Sequence, residues 1–362
     1  MFYRETGQFK SRYKDELAAF PLFEDKIGIA ILGILSFVVI PWIGIPGLKY
    51  EFAMSAIMIP VMVFIIMTLG LNILLGFAGQ ISLGTGAFSG VGAYAFYKLI
   101  SIYPDINIII ALILSGLISA VVGMLFGLPS LRIKGFYLMV ATLAAQFFLT
   151  WAFIRVSWLY NNNASGAIEG PNKEMFGIVM IGPQASEITR YYFVLVTLII
   201  LTWIASNVIR GRIGRSWMMI RDMDIAAELI GIRPLVAKLS AFAFSSFYIG
   251  IAGALMVFFW LGAAEAESFD INHSFLYLFM VIIGGLGSIT GSYMGAIFVW
   301  VLPVLIKEIG KTVFGFDAFI MENFSTILLG VMIILILILE PHGLARLWQI
   351  AKQKLRLWPF PY

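Results

Sequence analysis

Few side chains in this sequence are equipped for bond-making chemistry. There is no cysteine, which removes thiolate metal sites, disulfides and thiol redox chemistry. The two histidines, His273 and His342, lie far apart in the chain. No Gly-x-Ser-x-Gly, His-Glu-x-x-His or Gly-x-x-x-x-Gly-Lys-Ser/Thr pattern occurs, so a nucleophile elbow, a zincin site and a P-loop are all missing. No enzymatic activity and no cofactor is expected. Polar groups concentrate in two other places. One is Gly76-Phe-Ala-Gly79-Gln80-Ile-Ser82-Leu-Gly84-Thr85-Gly86, running on to Gly90 and Gly92. The other is the basic stretch Arg210–Lys238. Neither suits covalent catalysis; the first suits passage or binding of a solute, the second contact with a soluble partner.

Glycine at the density of 76–92 weakens a helix by about 1 kcal/mol per residue relative to alanine. In an apolar surrounding it permits a broken helix and close backbone approach. The polar atoms of Asn72, Gln80, Ser82 and Thr85 then need a partner or a path, and these four are the candidate path residues. A similar run, Gly284-Gly285-Leu-Gly287-Ser288-Ile-Thr290-Gly291 with Gly295, places Gly287, Gly291 and Gly295 four apart. That spacing makes a small-residue ridge for helix contact. Thr142, Gln146, Ser240, Ser245 and Ser246 also interrupt apolar stretches, where backbone or a neighbouring helix commonly satisfies them.

The elements that must position these residues follow from composition. Of 362 residues, 61% are hydrophobic and 12% charged, with mean hydropathy +0.96; soluble domains carry about 25% charged residues. Crossing a bilayer core of about 30 Å takes roughly 20 apolar residues. The fold class expected is an all-α polytopic membrane protein with about ten transmembrane helices, broken Gly-rich helices and a cytoplasmic coupling helix. The spans read roughly Ile27–Ile45, Phe52–Leu75, Gly84–Ile100, Ile106–Leu128, Gly135–Ile154, Tyr191–Ile209, Leu239–Leu261, Phe275–Ile283, Ser288–Leu305 and Ser325–Leu339. The eighth is too short to cross alone and is expected to continue into neighbouring sequence. Residues 1–26 form a cytoplasmic or interfacial leader, 27–345 the transmembrane domain and 346–362 a basic cytoplasmic tail.

Of 24 lysines and arginines, only Lys49, Lys98, Arg155, Lys173, Arg190, Lys307 and Lys311 fall outside when both termini are cytoplasmic. The positive-inside rule selects that parity. The net charge of +4 therefore reports sidedness rather than nucleic-acid binding. The same parity puts the Asn-, Gly- and Pro-rich loop 155–190 and the acidic loop of Glu265, Glu267 and Asp270 outside. The span interiors hold almost no ionisable residues, which argues against proton coupling. Sodium sites built from carbonyls and hydroxyls stay compatible, so a sodium-coupled secondary carrier is a rival reading.

Within Arg210–Lys238, the residues Trp217, Ile220, Met223, Ala227 and Ile230 recur at spacings of three or four, an apolar stripe on one short helix. Arg221 and Asp224 are spaced to pair. Gly231 and Pro234 stand where a helix stop belongs. Such a helix either lies in the interface or fits a groove on a partner.

Ile225-Ala226-Ala227-Glu228-Leu-Ile-Gly231 resembles the Glu-Ala-Ala-x-x-x-Gly loop of ABC importer membrane subunits, with Ile225 where the pattern has glutamate. The segments 70–94, 131–143, 214–222 and 250–255, then Gly284 to Ser288 and Glu340-Pro341-His342-Gly343-Leu344, are similar in order to permeases of branched-chain amino acid importers, LivM type. The likeness covers Phe52 to Leu344. It implies an inner-membrane permease subunit taking up hydrophobic amino acids by ATP-driven alternating access. It also implies a LivH-type partner permease, two cytoplasmic ABC ATPases and a periplasmic solute-binding protein. Arg215, Arg221, Ala226, Ala227, Glu228 and Gly231 would then couple to the ATPases. Urea or short-amide permeases share the same motifs and are the alternative in substrate.

Overall fold

The computed structural model describes residues 23–43, 50–131, 137–163, 165–175, 177–314 and 318–357. Most of the leader, Arg132, Lys134 and Gly135, and the last five residues lie outside the described residues. Thirteen helices are described: α1 (Phe23–Ile34, continued by a π turn at Leu35–Val39 and by Ile40–Ile43), α2 (Tyr50–Phe77), α3 (Thr85–Ile102), α4 (Ile108–Leu131), α5 (Tyr137–Arg155), α6 (Glu187–Arg210), α7 (Arg212–Asp222), α8 (Asp224–Leu229), α9 (Pro234–Leu261), α10 (Ile271–Gly284), α11 (Ile289–Phe314), α12 (Ala318–Leu339) and α13 (Leu344–Leu357). The protein is an all-α polytopic membrane protein.

Each of the ten apolar segments is helical over its described residues, except for one or two at the start of three of them. Among the described residues, seven helices are long and apolar enough to cross a membrane: α2, α4, α5, α6, α9, α11 and α12. The others are shorter or more polar, α10 having 14 residues. At 1.5 Å per residue that is about 21 Å, well short of a bilayer core. It begins at Ile271, four residues earlier than Phe275, and does not extend further because Asp270 caps it: the Asp270 carboxylate accepts from the His273 amide at 3.1 Å.

Helices α2 and α9 form the buried spine, while α12 is almost wholly exposed, as a helix facing lipid or a partner must be. The spine is packed backbone to backbone. A Cβ on Gly253 of α9 would lie 2.0 Å from the Ser89 carbonyl oxygen of α3, and one on Gly92 would lie 2.1 Å from that of Gly250. In hydrocarbon, where apolar burial offers little drive for helix association, such close approach supplies it. The ridge on α11 is used as its spacing predicts, Gly295 meeting the Met280 carbonyl of α10.

The 155–190 segment folds into a cap. Strand β1 (Ile168–Glu169) pairs antiparallel with β4 (Ala263–Ala264), and β2 (Lys173–Met175) with β3 (Ile178–Ile181). The acidic loop makes contact with the bundle. Glu265 follows β4, but the chain then dips into the bundle, and the Phe269 carbonyl accepts from Gln146 Nε2 at 2.7 Å. Gln146 is the midpoint of α5, about 13 Å from either end at 1.5 Å per residue. Asp270 and His273, bonded at 2.8 Å with side chains 33% and 39% exposed, follow directly on this turn.

Gly253→Ala should lower the thermal midpoint of the purified protein by several degrees, overpacking of this kind costing about 1–3 kcal/mol. Gly330→Ala, where an added Cβ meets nothing within 4 Å, should leave it unchanged or raise it.

Candidate translocation break and coupling junction

The first glycine run is a break in the helical path. Helix α2 ends in a π turn at Ile73–Phe77, residues 78–84 are non-helical, and α3 begins at Thr85. A helix start inside an apolar bundle exposes amides that water cannot reach. Three side chains from two other helices take them. Thr142 Oγ1 accepts from the Leu83 amide at 3.0 Å, Gln146 Oε1 from Ala87 at 2.8 Å, and Ser274 Oγ from Gly86 at 2.8 Å. Ser274 in turn donates to Gln146 Oε1 at 3.0 Å, so α5, α10 and α3 share one network. Ser82 Oγ accepts from Gly84 at 3.4 Å.

Two polar groups at the break are left over. Gln80 is buried, and neither of its amide atoms has a hydrogen-bond partner among the described residues; the same holds for the Thr85 hydroxyl. A buried group without a partner costs about 1–3 kcal/mol. Native structures keep few of them, chiefly at sites with another role.

Asn72 is different. Its Nδ2 donates to the Ser288 carbonyl and to Ser292 Oγ, both at 2.9 Å, and its Oδ1 accepts from the Gly287 amide at 2.9 Å. It ties α2 to the turn between α10 and α11. The two glycine runs thus meet: a Cβ on Gly76 would lie 2.0 Å from Asn72 Oδ1 and 2.2 Å from the Gly287 nitrogen.

The basic segment joins them at the same point. Arg221, near the end of α7, donates from Nη1 to the Gly76 carbonyl at 2.7 Å and from Nε to Asp222 at 2.9 Å. A Cβ on Gly79 would lie 2.7 Å from Arg221 Cγ. Helix α7 is anchored to α9 by Trp217, fully buried, whose Nε1 donates to Ser240 Oγ at 2.9 Å and whose ring meets Phe244 edge-on at 5.7 Å. Arg215, one turn before Arg221 and a half, is exposed.

The expected single helix is two. Met223 is extended, φ −159° and ψ 96°, and the apolar stripe splits there. Trp217, Ile220 and Ala227 turn inward, but Met223 and Ile230 are exposed, because one extended residue resets the helical phase. Helix α8 ends as its sequence predicts. The Gly231 amide bonds the Glu228 carbonyl and the Ile232 amide that of Ala227, with Gly231 at φ +90°, a Schellman closure that favours glycine. Ala226, Glu228, Ile225 and Leu229 are exposed, the last two at 64% and 85%.

The sequence missed the role of Ser274, which accepts from Gly86 and donates to Gln146. Asp-x-x-His ahead of an apolar run was a visible N-cap pattern.

A family model described as branched-chain amino acid transport system / permease component matches residues 53–337. The chain belongs to this family. Its members in the comparison include the high-affinity branched-chain amino acid transport system permease protein LivM of Salmonella typhimurium, 29% identical over 306 residues, covering 78% of this chain and 68% of the relative. The Escherichia coli LivM is 28% identical over the same shares. The probable LivM of Methanocaldococcus jannaschii is 24% identical over 256 residues, 69% of this chain and 72% of that protein. No solved structure matches. The family match spans both glycine runs and the α7–α8 segment, so the break and the junction belong to the permease region.

Gln146→Leu should strand the Ala87 amide and the Phe269 carbonyl together and lower stability by about 1–3 kcal/mol per group, read as a thermal shift in detergent. Thr197→Val, whose hydroxyl bonds the Phe193 carbonyl of its own helix, should shift it far less.

Proposed function

We propose that this chain is a permease subunit of an ATP-driven importer for branched-chain amino acids. The carrying observation is the hydrogen bond from Arg221 to the Gly76 carbonyl, which links an exposed helical segment to the break. In this reading the α7–α8 end of the bundle is cytoplasmic, as are both termini, and the membrane is the bacterial inner membrane. Two ATPases dock below, a LivH-type permease stands alongside, and a periplasmic binding protein delivers the solute. The exposed apolar residues Met223, Ile225, Leu229 and Ile230 suit a groove on an ATPase, since exposed apolar clusters mark partner surfaces. Ile225, where related loops carry an acid, supplies apolar area there.

Gln80, Ser82 and Thr85 lie on the solute path. The unpartnered Gln80 carboxamide and Thr85 hydroxyl support this, being donors and acceptors held ready where water is excluded. Asn72 braces the path rather than lining it, because both its N–H groups and its carbonyl are engaged. Arg215, Arg221, Ala226, Ala227, Glu228 and Gly231 carry the coupling. The substrate class rests on the names of the relatives.

Deleting the gene should abolish high-affinity leucine uptake, with excess isoleucine but not urea competing in the restored strain. Full competition by urea would overturn the substrate reading. Arg221→Met should reduce uptake at least tenfold and leave membrane insertion intact. Glu228→Arg with Gly231→Pro should likewise insert normally but lose solute-stimulated ATP hydrolysis; unchanged transport in both variants would sink the coupling role.

A further inference from the structure

At the end of the bundle remote from Arg221 lies a cavity of about 510 Å³, within the roughly 300–1,000 Å³ of small-molecule sites. The start of α2, the end of α9, the end of α11 and the start of α12 enclose it. Its floor is aromatic. Trp260 and Trp300 meet edge-on at 5.3 Å, and Phe64 of the spine packs under both, at 5.6 and 4.7 Å. Trp300 Nε1 donates to the Ala56 carbonyl at 3.0 Å, so its polar edge is satisfied and its face is left for apolar contact. Val304 and Phe52 complete the apolar part.

The rim is charged in both senses. Lys307, Glu308 and Lys311 of α11 and Glu322 of α12 line it, and Lys307 Nζ lies 2.5 Å from Glu322 Oε2 in a pair open to solvent. The walls are held close: a Cβ on Gly310 would lie 2.0 Å from Met321 Sδ, which presses α12 onto α11 beside the ion pair. Two ammonium and two carboxylate groups give no net preference for an anion or a cation. They favour a ligand carrying both charges a few ångströms apart, on an apolar body that fits the tryptophans. Its acid group replaces Glu322 on Lys307 while its ammonium takes Glu322, so neither protein charge is left unpaired.

We propose that this cavity receives a free zwitterionic amino acid with an apolar side chain before the solute reaches the break at Gln80. The proposal rests on the uptake reading, which puts this end outside. The same charge pair occurs on a phosphatidylethanolamine headgroup, and the test separates the two sources.

The experiment uses the complex purified from its own membranes, with leucine binding measured by calorimetry without nucleotide and uptake measured in proteoliposomes. Val304→Trp fills the cavity, and Lys307→Met with Glu322→Met removes the pair. Each should weaken leucine binding at least tenfold and raise the uptake KM in step, while gel filtration shows an assembled complex. Lys307→Glu with Glu322→Lys rebuilds the pair and should recover binding to within about threefold. Binding within twofold of wild type in both disruptive variants overturns the proposal. So does loss of co-purifying phosphatidylethanolamine in native mass spectrometry with leucine binding unchanged, or a wild type that binds no leucine. A wild type that binds leucine in this cavity but drives no ATP-dependent uptake overturns the uptake reading alone.

Discussion

Inside a bilayer the backbone has no water to bond, so a chain that stops being helical there must find every partner within the protein. Residues 78–84 impose that requirement on this molecule, and much of the bundle answers it. Thr142 and Gln146 on α5 and Ser274 on α10 accept the amides of Leu83, Ala87 and Gly86. Gln146 also holds the Phe269 carbonyl, which fixes how deeply the turn before α10 descends. Remove the break, and there is no reason for three polar side chains on two other helices to converge.

The glycines serve the same end by bringing backbones close enough for short side chains to reach. Gly76 must lack a Cβ for Asn72 to bond the Gly287 amide beside it, and Gly79 must lack one to admit Arg221. Around α9, Gly250 and Gly253 draw α3 and α4 inward. The polar network and the small-residue contacts are therefore one construction. The contact distances make room for hydrogen bonds that a bulkier core would have separated.

The apolar lengths of the ten segments, the break after Gly76 and the stop at Gly231 were legible in the sequence, because each depends on local composition or on one backbone angle. The α7–α8 kink was not. Trp217, Met223 and Ile230 share a helical period, and the turn at Met223 goes with tertiary contacts, Trp217 against Phe244 and Arg221 against Gly79. Asn72 was equally opaque, since its partners lie some two hundred residues away. The four candidate path residues looked alike in sequence; the structure separates a saturated carboxamide at Asn72 from an unpartnered one at Gln80.

The bond between Arg221 and Gly76 has one more consequence. Thermodynamic linkage makes any coupling between two sites symmetrical in free energy. If a shift of α7 alters the environment of Gln80 through that carbonyl, then whatever settles beside Gln80 biases the resting position of α7 by the same amount. The arginine is then a sensor as much as a lever: on the proposed reading, what touches α7 and α8 registers whether the break is occupied.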